Sequence, residues 1–363
     1  MGPPAGNFTR VQVLEDSARR RRANPWRKPR GTGEAGLKIA VLIPCYNEEH
    51  TIEKVVRDFQ RELPEADIFV YDNNSTDRTV ELAQACGAIV RRETRQGKGN
   101  VVRSMFHDIE ADVYVLVDGD DTYPAEYVHF LIAPVEEGMA DMVVGDRHSN
   151  GSYEEENKRA FHDLGNRLVK GLINKLFHAS LRDIMSGYRA FTRDFVKNTP
   201  IHSVGFEIET EMTLHALDKR FRIVEMPIDY RDRPAGSFSK LNTFSDGMRV
   251  LRTIFWIFKD YKPLAFFGIL FLVFFICGWL VGLPVIFEFL ATHAIRRIPS
   301  AILAVGLMLL SSVFLTSGLI LDTIVKHQND LYQVLFNRAS GVAQTARNVG
   351  DDPEVHERQE VSR

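Results

Sequence analysis

Short apolar runs recur through the first two-thirds of the chain, at 38–44, 68–71, 88–90, 113–117, 142–145 and 223–228. Their length and β-branched content predict buried strands. Between them, apolar residues fall three and four apart. Over 48–63, Ile52, Val55, Val56 and Phe59 share one helical face. Further helices are predicted over 76–85, 99–109, 158–177 and 206–217. Asn74 or Ser75 is the expected cap of the 76–85 helix and Gly87 its stop. Strands alternating with helices predict an α/β fold with a mainly parallel, doubly wound sheet.

The pattern changes near the C-terminus. Residues 264–283 and 301–321 contain no charged side chain. Each is about the 20 residues needed to cross a bilayer core, so the pair predicts a transmembrane hairpin whose long flanks lie on one side. Arg249, Arg252, Lys259, Lys262 and Lys326 on those flanks place that side in the cytoplasm. Arg296 and Arg297 in the short connection vote the other way. Before the hairpin, Phe244, Met248, Leu251, Phe255 and Phe258 recur at helical spacing with basic residues between them. That suits an amphipathic helix at the membrane interface, and a helix packed on the soluble domain nearly as well. The expected layout is a disordered basic tail at 1–36, a catalytic domain at 37–240 and the interfacial helix at 241–262. A membrane hairpin at 263–326 and a polar, largely disordered tail at 327–363 complete it.

Composition narrows the partners. The net charge of −3 offers no basic surplus for nucleic acid. Cys45, Cys86 and Cys277 are scattered, which suits a reduced compartment and not a disulfide framework.

The chemistry concentrates where the fourth strand ends, in Asp118-Gly119-Asp120-Asp121. Carboxylates crowded at a strand end repel one another unless a cation sits between them. Mg²⁺ takes one or two carboxylates together with substrate phosphates, and Gly119 lets the backbone approach a ligand. The alternative is a solvated acidic turn. Three more segments lie where loops should leave the same sheet edge: Pro44-Cys45-Tyr46-Asn47-Glu48, Tyr71-Asp72-Asn73-Asn74, and Gly97-Lys98-Gly99-Asn100. Neither G-x-G-x-x-G after a strand nor a P-loop is present, which disfavours dinucleotide enzymes and P-loop NTPases.

Together these segments resemble the family 2 glycosyltransferases of the GT-A nucleotide-sugar-binding fold, and within them the polyprenyl-phosphate glycosyltransferases. The resemblance covers roughly residues 38–241. It implies that Pro44, Tyr46, Asn47, Glu48, Asp72, Asn74, Gly97, Lys98, Asp118 and Gly119 line the nucleotide. It implies that Asp118 and Asp120 hold Mg²⁺ or Mn²⁺. Arg147 and Arg159 match arginines that face the lipid phosphate, Asp183 matches an acceptor-side aspartate, and Arg233, Ser239 and Lys240 match a mobile basic loop. Asp118, Asp120, Asp183 and Arg147 are the implied catalytic set. Two departures stand out. Thr122 occupies the place of a frequent Gln, which leaves the third metal ligand open, and Asn73 the place of a frequent second aspartate, which leaves the base open.

The reaction so implied is inverting transfer of a hexose from a UDP-sugar or GDP-mannose to undecaprenyl or dolichyl phosphate. It would run at the cytoplasmic face of the inner membrane. A separate flippase, a downstream glycosyltransferase and self-association fit the same picture. A processive polysaccharide synthase is the rival, but none of Trp26, Trp256 and Trp279 follows a Gln-x-x-Arg. A non-catalytic lipid-carrier scaffold would have no use for Asp118 and Asp120.

Overall fold

The computed structural model describes residues 37–148, 160–205, 207–231, 252 and 255–350. The apolar runs form strands β1 (Ile39–Cys45), β2 (Asp67–Asp72), β3 (Ile89–Arg92), β4 (Val113–Leu116), β5 (Met142–Asp146), β6 (Arg189–Thr192) and β7 (Ile223–Pro227). They make one sheet in the order β3-β2-β1-β4-β6-β5-β7. Every pairing is parallel except those of β6, which runs antiparallel to both β4 and β5. Helices α1 (Ile52–Glu62), α2 (Thr79–Ala85), α3 (Lys98–Asp108) and α4 (Val128–Glu136) follow successive strands, and α6 (Arg193–Asn198) and α7 (Ile208–Asp218) fall between β6 and β7.

Period-two alternation divides the sheet's residues between two cores. Val41, Ile43, Val113, Val115 and Val117 face one side, where Val55, Val56 and Phe59 of α1 and Leu131 of α4 cover them. Ala40, Leu42, Tyr114 and Leu116 face the other, against Val101 and Met105 of α3, Phe195 of α6 and Met212 of α7. All four apolar residues that define the face of α1 are buried. The strand order turns back at β1, whose neighbours are β2 and β4. In open α/β sheets a crevice forms at such a switch point, outside the carboxyl ends of the strands.

Two elements depart from the reading of the sequence. Helix α2 begins at Thr79, with neither Asn74 nor Ser75 as its cap. Ser75 Oγ instead accepts the Asn47 N–H at 2.9 Å, and Asn74 Nδ2 donates to the Thr94 carbonyl at 2.9 Å. Strand β6 was not foreseen, because its first residue is a fully buried arginine, Arg189.

The described residues divide into two compact units, those of 1–159 with 180–240 and those of 160–179 with 241–363. The second holds α5 (Ala160–Phe177), α8 (Pro263–Thr292) and α9 (Ile298–Gly350). Within it the Phe177 ring meets Tyr261 at 5.8 Å, and the Lys262 ammonium lies 5.3 Å from the Phe177 centroid. Helix α8 opens on Pro263, whose missing N–H costs nothing at that position. Both α8 and α9 are long and apolar enough to cross a membrane. They are not the core of a soluble bundle: Leu280, Phe287, Ile302 and Leu309 are exposed. They approach each other through small residues, with a Cβ on Gly278 meeting Met308 at 3.1 Å and one on Gly318 meeting Phe267 at 3.0 Å. Helix α9 runs on through the polar residues after Lys326 to Gly350, past the end of its uncharged stretch.

Candidate active site

Four loops converge at the switch point, and their own polar groups hold them together. The loop after β1 is tied to the loop after β2: Thr76 N–H donates to Asn47 Oδ1 at 2.8 Å and Glu48 N–H to Thr79 Oγ1 at 2.8 Å. Asn47 takes positive φ to make this turn. Asp72 is buried and accepts the Ser75 N–H at 3.0 Å. Tyr46 stands partly exposed at the rim.

Asn73 governs the third loop. Its Nδ2 donates to the carbonyls of Glu93 and Arg95, both at 2.9 Å, while its Oδ1 accepts the Gly97 N–H at 2.7 Å. An aspartate could accept but not donate, so an amide is required here. Gly97 has φ of 127°, and a Cβ there would stand 2.2 Å from the Val204 carbonyl. Gly99 is packed as closely on Ser203, and its N–H donates to Val204 O at 2.9 Å. The start of α3 is thus pressed against 203–204, and the Ser203 N–H is held in turn by Glu211 Oε2 at 2.9 Å.

The fourth loop carries the acids. Asp120 is 4% exposed, and its Oδ1 accepts from Thr122 Oγ1 at 2.6 Å. Thr122 therefore orients Asp120. Asp121 turns to α1 and pairs with Lys54 at 2.6 Å, outside the acidic pair. Gly119 lies under Cys45, whose Sγ would stand 2.8 Å from a Cβ there, and its carbonyl accepts from Thr51 Oγ1 at 2.7 Å. Asp118 Oδ1 lies 2.5 Å from Lys98 Nζ, which lies 2.5 Å from Glu209 Oε1 as well. Burial opposes the charge on Lys98, but Asp118 and Glu209 outweigh it and hold the ammonium protonated well above the ordinary lysine range. Glu207, Glu209 and Glu211 alternate at the start of α7, where acidic charge favours a helix N-terminus, and Glu209 also reaches this site.

No cluster of three or more His, Cys, Asp or Glu suited to a metal occurs among the described residues. Two carboxylates at a ligand-facing strand end fit Mg²⁺ or Mn²⁺ nonetheless, because such ions take their remaining ligands from phosphate and water.

Beside the acids lies a second buried constellation. Arg147, at the end of β5, donates from Nε to Asp183 Oδ2 at 2.7 Å and from Nη2 to Asp183 Oδ1 at 3.0 Å. Arg147 is 8% exposed and Asp183 3%. Burial pushes the Asp183 carboxyl up, but the Arg147 guanidinium prevails and brings it down to about 2. Tyr230 packs its ring 5.4 Å from the guanidinium, and Tyr123 Oη lies 3.5 Å from Nη1. The loop bearing Asp183 is anchored from both ends. Glu225 on β7 accepts the N–H groups of Arg182 and Asp183, both at 2.8 Å. Arg189 donates to the carbonyls of Ser186 and Ile184, both at 2.8 Å, and to Thr213 Oγ1 at 2.9 Å. The same loop touches the acids, since a Cβ on Gly187 would fall 2.7 Å from Asp118 Oδ2.

Of the residues singled out from sequence, Pro44, Tyr46, Asn47, Glu48, Asp72, Asn74, Gly97, Asp118, Gly119, Asp120, Arg147 and Asp183 lie on loops or strand ends at this edge, and Lys98 opens α3 there. Arg159, Arg233, Ser239 and Lys240 lie outside the described residues. Glu209, Glu225 and Arg189 were not singled out as site residues. The contacts of Glu209 with Lys98 and of Glu225 with Arg182 and Asp183 span 111 and 42–43 residues, which no local pattern reports.

The family model "Glycosyl transferase family 2" matches residues 40–199. The glycosyltransferase AglJ of Haloferax volcanii is 36% identical over 234 residues, 63% of this chain and 75% of that protein. The dolichyl-phosphate hexose transferase of the same organism is 31% identical, over 60% of this chain and 92% of its own. Among solved structures, glucosyl-3-phosphoglycerate synthase from Mycobacterium tuberculosis in complex with UDP superposes with a TM-score of 0.51. At 18% identity, over 72% of this chain and 86% of that one, it speaks for the GT-A-like fold alone. The sheet, its acid-bearing switch point and these relatives lead to one assignment: the chain belongs to glycosyltransferase family 2, in the polyprenyl-phosphate transferase group.

Proposed function

We propose that this enzyme transfers a hexose from a nucleotide-sugar donor to the phosphate of a polyprenyl phosphate, with inversion, at the cytoplasmic face of the membrane. One observation carries the reading. A single chain joins Asp118 and Asp120 at the switch point to two helices, each with an uncharged stretch long enough to cross a bilayer. The acceptor's phosphate sits at the headgroup layer, so an enzyme anchored there need not extract the lipid. The dolichyl-phosphate hexose transferase among its relatives supports the same acceptor class.

Each group has a task. The loops after β1 and β2, with Gly97 and Lys98, hold the nucleoside diphosphate. Asp118 and Asp120 hold Mg²⁺ or Mn²⁺, which when bound neutralises charge on the leaving diphosphate. Thr122 keeps Asp120 aimed. The acceptor oxygen needs no general base, because a phosphate monoester has its second pKa near about 6 and is largely a dianion at neutral pH. Its need is cationic positioning, to which the arginine fork is suited. Arg147 supplies that charge, with Asp183 and Tyr230 fixing the guanidinium, and Arg159 and Arg233 join it on the acceptor side. The basic residues flanking the helices favour a cytoplasmic catalytic unit.

The deciding experiment is a donor screen with the full-length protein in lipid nanodiscs. UDP-glucose, UDP-N-acetylglucosamine and GDP-mannose would be offered with undecaprenyl phosphate and Mg²⁺ or Mn²⁺. A metal-dependent lipid-linked sugar from one donor is the expected result. Repeated transfer into a polymer, or no transfer from any donor, would refute the reading.

A further inference from the structure

We propose that Lys98 is a resident counter-ion that competes with the divalent metal for Asp118, and that Glu209 is the carboxylate that retains it when the metal arrives. The inference rests on the metal reading of Asp118 and Asp120 given above. Its starting point is that a carboxylate needed by the metal already holds a cation, at 2.5 Å from Lys98 Nζ. An ammonium and a divalent ion cannot share one carboxylate oxygen at such range without strong like-charge repulsion.

The surroundings decide what moves. The backbone of Lys98 is fixed, because Gly97 and Gly99 on either side are pressed against 203–204. The backbone of Glu209 is fixed too: its carbonyl accepts from Thr213 Oγ1 at 2.9 Å, and Thr213 is itself bonded to the buried Arg189. What remains is rotation of the long, flexible lysine side chain. It can leave Asp118 while keeping Glu209, whose Oε1 is 2.5 Å away and whose side chain is 6% exposed. Without Glu209, releasing Asp118 would strand a buried ammonium, a costly state.

The arrangement biases the site against free metal. A bare divalent ion must displace Lys98 using two aspartates alone. A metal that arrives on a nucleoside diphosphate brings its own anionic oxygens, and these offset the displaced contact. Lys98 thereby makes the site selective for the metal–nucleotide complex over the metal by itself.

Binding of Mn²⁺ to the full-length protein in nanodiscs, followed by electron paramagnetic resonance with and without UDP or GDP, tests this without any turnover. The wild type should bind Mn²⁺ far better with nucleotide. In Lys98→Met, nucleotide-free affinity for Mn²⁺ should rise about tenfold or more, since a competing buried charge is gone. Affinity that is unchanged or lower would overturn the inference, and a lysine serving only as a phosphate ligand gives that result. Glu209→Gln should act in the opposite sense, weakening nucleotide-assisted Mn²⁺ binding severalfold because Lys98 then clings to Asp118. It decides the matter if Lys98→Met fails to fold, and unchanged binding in it would also overturn the inference. A wild type that takes up no Mn²⁺ with either nucleotide would refute the metal reading itself, and the inference with it. A wild type that does, beside an unresponsive Lys98→Met, would refute the inference alone.

Discussion

Removing both members of the Arg147–Asp183 pair should cost clearly less than the two single removals added together. The pair is bidentate, at 2.7 and 3.0 Å, and Asp183 also accepts the N–H of Met185 at 3.1 Å. Breaking a buried pair from one side typically costs about 3–5 kcal/mol, because the survivor is an uncompensated charge. The depressed carboxyl of Asp183, about 2 against an ordinary 3.8, gives a second measure. At 1.36 kcal/mol per pKa unit it corresponds to roughly 2–3 kcal/mol of stability. The sign follows from the depression: this stability is present above about pH 4 and is lost as pH falls toward about 2. Asp183→Ala and Arg147→Met should each destabilise by about 3 kcal/mol or more. The double variant should lose clearly less than the sum, with a coupling of about 2–3 kcal/mol. Chemical denaturation of the four proteins at pH 7, read by near-ultraviolet circular dichroism of the buried tyrosines and repeated at pH 3, measures the cycle. Additive losses would show that the two side chains are neighbours without being partners, and would remove Asp183 as the residue that positions Arg147.

Three further outcomes are expected. Asp118→Asn and Asp120→Asn should each abolish sugar transfer while leaving the unfolding transition in place, and excess EDTA should do the same to the wild type; full activity in EDTA would remove the metal from the mechanism. Asn73→Asp should lose the two donations to Glu93 O and Arg95 O, at about 1–3 kcal/mol for each buried acceptor left unpaired, and should weaken nucleotide binding measured by calorimetry; unaltered stability and affinity would deny Asn73 its role in the 93–97 loop. Gly187→Ala should push Asp118 aside, since the new Cβ would meet its Oδ2 at 2.7 Å. Displacements of about 1 Å can cost on the order of a hundredfold in rate, so kcat should fall in a protein that still folds, and an unchanged kcat would mean the loop yields without consequence.

Much of the sheet was legible because its strands are buried on both faces and so read as continuous apolar runs. Strand β6 was hidden by Arg189, a charged residue whose burial depends on carbonyls of residues 184 and 186 and on Thr213. The start of α2 was misplaced because capping residues compete among partners. Asn74 and Ser75 are good caps by type, yet both are spent joining neighbouring loops. In the site, Asp118 and Asp120 could be placed from the strand that precedes them. The Lys98–Glu209 contact could not, since it joins residues 111 apart through the packing of 203–204 on α3. Arg147 and Asp183 were both singled out, and their pairing became visible only once β6 had turned the chain back beside β5.

Arg189 has an effect that reaches beyond the loop it anchors. It is fully buried at the start of β6, and its hydrogen-bond partners there are neutral carbonyls, a hydroxyl and a thioether. Burial lowers its pKa to about 10, still charged at neutral pH. A positive charge walled off from water keeps its field, whereas mobile ions cancel the field of an exposed charge within a Debye length of about 8 Å at physiological ionic strength. Surface arginines lose their pull as salt rises, while the pull of Arg189 on the buried carboxylates of Glu209 and Asp183 persists, so the frame that carries the acidic loops is insulated from the ionic strength outside.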